Sequence, residues 1–201
     1  MGNPETLPTR DRLVRAMARA LQQRGYHGIG LAELLAEAGA PKGVLYHHFP
    51  GGKQALAVAA IEATAAHIAA SLDHLILARA DPLTALQGWL ALAQAQLDRS
   101  GYERGCPLAT VALETTADDG PVRAALATAF EGIRTRLASL LATAGIAPAQ
   151  AGGLAALVVA AYEGALMQAR VAGSGAPMAE AAQALLALLQ REIDHARRSP
   201  R

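Results

Sequence analysis

The run Leu31–Leu56, LAELLAEAGAPKGVLYHHFPGGKQAL, decides how the rest of the chain is read. Leu31, Leu34, Leu35 and Ala38 are spaced i, i+3, i+4, i+7, which places them on one face of a helix. Gly39 then offers the left-handed backbone on which helices commonly end. Pro41 suits the opening position of a second helix, because its ring holds φ near the helical value. Between Pro41 and Phe49 there is room for only about two turns. Val44, Leu45 and Phe49 can be buried there, whereas Lys42, Tyr46, His47 and His48 cannot all be. A helix, a tight glycine turn and a short donor-rich helix form a helix-turn-helix. The second helix of that motif enters the major groove of DNA.

Upstream, Thr9 is a candidate cap for a helix reaching Arg24, with Leu13, Met17, Ala20 and Leu21 as its buried stripe. Arg12, Arg15 and Arg19 occupy another face. Solvated arginines are ordinary on helices, but beside a helix-turn-helix Arg10 and Arg12 become candidates for phosphate contact. Gly25 ends this helix, and Tyr26–Gly30 makes the turn. The first eight residues, with two prolines and no periodicity, are expected to be an arm.

Downstream the pattern is helical throughout. Expected helices run from Gly52 to Arg79, Pro82 to Ser100, Pro107 to Ala117, Pro121 to Ala144, Ala147 to Ala172 and Pro177 to Arg197. The fold class is therefore all-α, with about nine helices. Residues 1–52 form an N-terminal three-helix helix-turn-helix domain, and residues 53–201 a C-terminal helical domain for effector binding and dimerisation. In the last helix Ala182, Leu185, Leu186, Leu189 and Ile193 make a stripe, and the preceding helix is apolar on nearly every face. A helix apolar all round is buried on both sides, and one side is expected to meet a second subunit through Leu157, Ala161, Leu185, Leu186 and Leu189. Gly152, Gly153 and Gly164 would let helices approach closely.

Composition narrows the function. Apolar residues make up 52% and aromatics only 3%, an alanine-rich mixture that favours helix. Net charge is +1, but it is unevenly spread. Seven basic against four acidic side chains leave the first 60 residues at +3, and the remainder, with 11 against 13, stands at −2. A basic reader joined to a mildly acidic body fits DNA recognition. One cysteine, Cys106, excludes an internal disulfide framework and a multi-cysteine zinc site. His47 and His48 are adjacent and so point to different helix faces, which argues against a metal. No signal peptide is read, and the longest apolar run, Leu154–Tyr162, is short for a membrane span, so a cytoplasmic chain without membrane contact is expected. Enzyme signatures are missing. Gly52-Lys53 evokes a phosphate loop, but Gln54 replaces the needed Ser/Thr and His47 stands where the first glycine belongs. There is no nucleophile elbow, HExxH or dinucleotide fingerprint, and Cys106 beside Pro107 reads as a small buried hydrophobe. An all-helical adaptor would leave the donor-rich short helix without a purpose.

From Ala38 to Phe49, and again over Gly52-Lys53-Gln54-Ala55-Leu56, the sequence resembles the DNA-binding signature of the tetracycline-repressor (TetR) family. The double glycine before Lys53 and Gly105-Cys106-Pro107-Leu108 are similar to one branch, the LmrA/YxaF-like multidrug-efflux regulators. Gly30 departs from the pattern, standing where many relatives carry a Ser or Thr cap, and His27 and Ile29 replace commoner polar residues. The resemblance implies a ligand-responsive repressor that binds a palindromic double-stranded operator as a homodimer, needs no cofactor or metal, and controls an efflux or detoxification gene. It puts Tyr46 and His47 on phosphates or nearby base edges, and Lys42 and Lys53 on the backbone. Gly43 and Val44 then face the groove, where valine can meet a thymine methyl. The expected effector is small and hydrophobic or aromatic. Apolar pockets with a few polar groups are the rule for such sites, which makes Trp89, Tyr102, Cys106, Leu113, Phe130, Tyr162, Met167 and Gln168 the candidates, with Glu163 or Arg170 for polarity. The scarcity of aromatics argues against an aromatic cage for a cation.

Overall fold

The computed structural model describes residues 7–78 and 81–198. Most of the expected N-terminal arm and the Arg79 end of the fourth helix lie outside them. Among the described residues there are nine α-helices and no strand: α1 Thr9–Arg24, α2 Leu31–Glu37, α3 Lys42–His48, α4 Gly52–Ala78, α5 Pro82–Arg99, α6 Pro107–Ala112, α7 Gly120–Thr143, α8 Pro148–Ala172 and α9 Ala176–Arg198. The all-α expectation holds, and most boundaries fall within two residues of the sequence reading.

The differences have local causes. Thr9 does not cap α1; Pro8 precedes the helix and Pro8 O accepts from the Asp11 and Arg12 amides. Asp81 does cap α5, its carboxylate accepting from Thr84 N–H at 2.7 Å and Thr84 O–H at 2.6 Å. Those bonds hold the Asp81 carboxyl below the usual carboxylate range. Helix α6 stops at Ala112, five residues before the expected Ala117. There the Asp119 carboxylate takes the Thr116 N–H at 2.8 Å and its hydroxyl at 3.0 Å, and the turn so formed competes with further helix.

The chain divides into two compact units. One comprises the residues up to Ala66 together with Cys106–Ala129; the other comprises His67–Gly105 and the chain from Phe130 onward. The packing boundary therefore falls inside α4 rather than at the 52/53 division read from the sequence.

In the first unit, α1 packs against α2, α3 and α6. Leu13, Met17 and Leu21 of α1 are fully buried beside Leu34, Leu45, Leu56, Leu108 and Val111. Each such side chain stabilises the fold by roughly 1.5–3 kcal/mol relative to exposure. Ion pairs Arg19–Glu37 and Arg24–Glu33 join α1 to α2 from outside, and exposed pairs of this kind contribute little. In the second unit α5, α8 and α9 pack on one another, and Met178, Leu185, Leu189 and Ile193 form the buried stripe of α9.

By length and composition alone α4 and α8 are each apolar enough to cross a bilayer, a test that core helices also pass. The run Leu154–Tyr162 is part of α8, which continues through Glu163 to Ala172. Both helices also supply buried side chains to the packing, Leu56, Ile61 and Leu72 from α4 and Val158 and Leu166 from α8.

Gly25 is the tightest point in the first unit. Its φ is +67°, and a Cβ there would lie 1.2 Å from Glu114 Oε1. Glu114 is held in that place by the His27 N–H, which donates to its Oε2 at 3.0 Å. Gly25→Ala should thus cost about 1–3 kcal/mol from the backbone alone, because φ +67° with ψ −172° is essentially confined to glycine, with a further loss as Glu114 is displaced. Urea unfolding checks this, and a change under about 0.5 kcal/mol on that ~1–3 kcal/mol scale would contradict the geometry.

Candidate nucleic-acid interface

The reading head is built at the junction of α2 and α3. Gly39 has φ +57° and ends α2. Its N–H donates to Ala36 O at 3.1 Å, and the Ala40 N–H reaches back to Leu35 O at 3.0 Å. This crossed pair is the Schellman arrangement, in which two otherwise orphaned carbonyls are satisfied. Pro41 follows in extended conformation as the residue before α3.

Arg12 completes the junction. Its Nε donates to Ala38 O at 3.1 Å, its Nη2 to Gly39 O at 3.2 Å and its Nη1 to Leu7 O at 3.4 Å. Arg12, a candidate phosphate contact in the sequence, thus spends three of its guanidinium N–H groups on backbone carbonyls, two of them at the end of α2. Arg10 is exposed, with its guanidinium carbon 5.4 Å from the centroid of the Phe49 ring.

Within α3 the side chains divide as their chemistry requires. Leu45 and Phe49 are buried plugs. Lys42, Gly43, Tyr46 and His47 are exposed, Val44 and His48 half-buried. The Tyr46 ring lies so close to Gly52 that a Cβ there would come within 3.2 Å of it. Lys53 is half-buried, its Nζ 4.8 Å from the centroid of the Tyr26 ring. Burial pushes the Lys53 ammonium pKa down, against the opposing pull of Glu114 and Asp119. The same burial, together with Asp119, raises the Tyr26 hydroxyl.

Behind this head sits a polar node that the sequence reading missed. His27 Nε2 lies 3.1 Å from Asp119 Oδ2, and Asp119 is the one buried charged side chain among the described residues. In the sequence His27 is only a departure from the family pattern, and no spacing links it to Asp119, 92 residues away. The bonds from Thr116 and the contact with His27 hold the Asp119 carboxyl below the usual carboxylate range.

Residues 13–60, the span containing this head, match the family model for bacterial regulatory proteins of the tetR family, and residues 82–184 match the C-terminal domain of LmrA/YxaF-like transcriptional regulators. The chain belongs to the TetR family. Within it, the HTH-type transcriptional regulator LmrA of Bacillus subtilis is 30% identical over 91% of this chain and 97% of its own length. The regulator YxaF of the same organism is 31% identical over 79% of this chain and 83% of its own. A regulatory protein TetR from Rhodobacter sphaeroides has a solved structure that superposes with TM-score 0.77 at 29% identity, covering 88% of this chain and 96% of that one. The reduced form of Escherichia coli NemR superposes with TM-score 0.76 at 25% identity, covering 88% and 94%. These relatives make the chain a transcriptional regulator of the LmrA/YxaF-like branch, and not an enzyme.

The effector candidates of this TetR-family regulator are divided between the two units. Trp89 and Tyr162 stack at 4.7 Å between ring centroids. Tyr102 is half-buried with φ +66°, and Phe130 is half-buried. Cys106 is buried at the start of α6 and Leu113 is 81% exposed, both in the first unit. Met167 and Gln168 are exposed on α8. The interface candidates also divide. Leu157 is 42% exposed, and Ala161 and Leu186 are half-buried. Leu185 and Leu189 are buried in the chain's own packing. Helical period had identified the apolar face of α9 but not what covers it.

Asp119 gives this unit a pH dependence of fixed sign. A carboxyl with a depressed folded pKa contributes stability above the unfolded value of about 4 and loses it as pH falls through the folded value. Asp119→Asn should therefore lower the melting temperature near neutral pH, with the difference from wild type shrinking as pH falls below about 4. Parallel curves of melting temperature against pH for the two proteins would contradict this role.

Proposed function

We propose that the chain is a repressor that binds a two-fold operator as a homodimer and is released by a small hydrophobic effector, in the cytoplasm and without a cofactor. The observation that carries this is the exposed face of α3, where Lys42, Gly43, Tyr46 and His47 stand clear of the buried plugs Leu45 and Phe49. Tyr46 and His47 are assigned to phosphates and base edges, Lys42 to the backbone at the start of α3, and Gly43 and Val44 to close approach in the groove. Arg10 and Lys53 flank this face as phosphate contacts; Arg12 acts through the turn that it clamps. Residues 1–52 read DNA in this account, and residues 53–201 bind the effector and the second subunit.

The dimer surface is assigned to α8. Leu157, Ala160, Gly164, Met167 and Val171 recur at alternating spacings of three and four, and all but the half-buried Gly164 are exposed. An apolar seam with that period, with the small Ala160 and Gly164 within it, suits packing against a second helix. The gene assigned to its control is an efflux or detoxification gene, a reading supported by the resemblance to the LmrA/YxaF-like branch. An effector can release DNA only by binding the released form better than the DNA-competent one, and operator DNA must then weaken effector binding by the same factor.

Tyr46→Ala and His47→Ala should each lower operator affinity at least tenfold, about the cost of one lost specific contact, with helix content and dimerisation unchanged. Gel shifts against DNA flanking the gene measure this; wild-type affinity in either variant would remove that residue from the reading face.

Leu157→Arg with Met167→Arg should give a folded monomer in sedimentation, because both side chains are exposed within the subunit. Leu185→Arg should instead destabilise the subunit by at least about 3 kcal/mol, the cost of an unpaired charge in a core. A persistent dimer in the α8 double variant would move the interface elsewhere.

A further inference from the structure

Within the first unit, the turn after α6 and the start of α4 converge on the backbone between Gly25 and His27. Glu114, in that turn, lies against Gly25, where an added Cβ would fall 1.2 Å from its Oε1. Its Oε2 accepts the His27 N–H at 3.0 Å. Asp119 holds the His27 ring, with Oδ2 3.1 Å from Nε2. Tyr26 stands between Gly25 and His27, and the Lys53 ammonium sits over its ring, 4.8 Å from the centroid. The charge on Glu114, and then that on Asp119, acts on the same ammonium.

Lys53 is thus drawn two ways. The Tyr26 ring and the Glu114 carboxylate both favour the positive charge where it stands, and a DNA phosphate attracts the same charge outward. An ammonium on a flexible stem can turn from one to the other, but what it gains at the phosphate is reduced by what it leaves behind. Glu114 cannot follow it, being fixed by the His27 N–H. Asp119 is buried and occupied by Thr116 and His27, so the half-buried Glu114 is the stronger rival.

We propose that Glu114 sets the strength of DNA binding: its carboxylate competes with the phosphate backbone for Lys53, and the head binds DNA more weakly than its basic residues alone would allow. This rests on the reading of Lys53 as a phosphate contact. Such a contact carries no sequence information, so the competition acts on every DNA sequence alike. Its sign is distinctive. A carboxylate that only kept the Gly25–His27 turn in shape would weaken binding when neutralised, whereas a competitor strengthens it.

Fluorescence anisotropy with a short mixed-sequence duplex at low salt tests this on the full-length chain. Glu114→Gln keeps an oxygen for the His27 N–H and removes only the charge. It should bind about threefold more tightly than wild type, the scale of one partly exposed ion pair. Lys53→Met keeps the stem over Tyr26, and it should weaken binding and lower the salt slope by about one unit. Added to Lys53→Met, Glu114→Gln should change affinity by less than about 1.5-fold. Melting temperatures report whether each variant is folded, and Glu114→Ala or Lys53→Gln takes the place of one that is not. Unchanged or weaker binding by Glu114→Gln overturns the competition. An equal gain with and without Lys53 also overturns it, assigning the effect to the general field of the carboxylate. Wild-type affinity in Lys53→Met removes Lys53 from the phosphate contacts, and the competition falls with that reading.

Discussion

A helix of seven residues does not hold its shape in water by itself, because nucleating the first turn costs more than two turns return. Helix α3, the element proposed to meet DNA, has that length. Its conformation depends on the burial of Leu45 and Phe49 against the rest of the first unit and on the turn before it. That turn depends in turn on Gly39 and on the Arg12 guanidinium that gathers the carbonyls of Ala38 and Gly39. Recognition by the exposed donors on α3 is therefore a property of a buried core and one clamp, and not of the donors alone.

Much of this was legible in the sequence. Helical period, with glycine and proline as punctuation, located nine helices, because a buried stripe leaves its spacing in the residue types. It also separated Leu45 and Phe49 from their exposed neighbours. What period cannot supply is the identity of the opposing surface. The period that places Leu185 and Leu189 at an expected interface is the same one that core residues show, and within the subunit both are buried. Arg12 read as a phosphate ligand because nothing in its spacing reveals carbonyls contributed from 26 and 27 residues away. The end of α6 was missed for a related reason: Thr116 and Asp119 form a local turn whose competition with helix depends on one carboxylate orientation.

The candidate ligand residues were the least legible. They were chosen as aromatic, sulfur-containing or polar side chains in an apolar body, which selects residue types rather than empty space. Trp89 and Tyr162 occupy each other, while a cleft arises between α5 and α9 along an alanine-rich seam, where the absence of bulk is the signal. Small residues that permit close helix packing in one place leave a cavity in another, and composition does not distinguish the two.

The first unit is discontinuous, since Leu108 and Val111 of α6 lie in the same core as α1. The DNA-reading module is consequently not a cassette that ends where its motif ends. A chimera joined at the start of α4 would leave α1 facing a foreign α6, with Gly25 pressed against whatever replaces Glu114. Grafting this reader onto another sensor requires carrying α6 and its turn along, so the two stretches are expected to vary together among relatives even though about 40 residues of chain separate them.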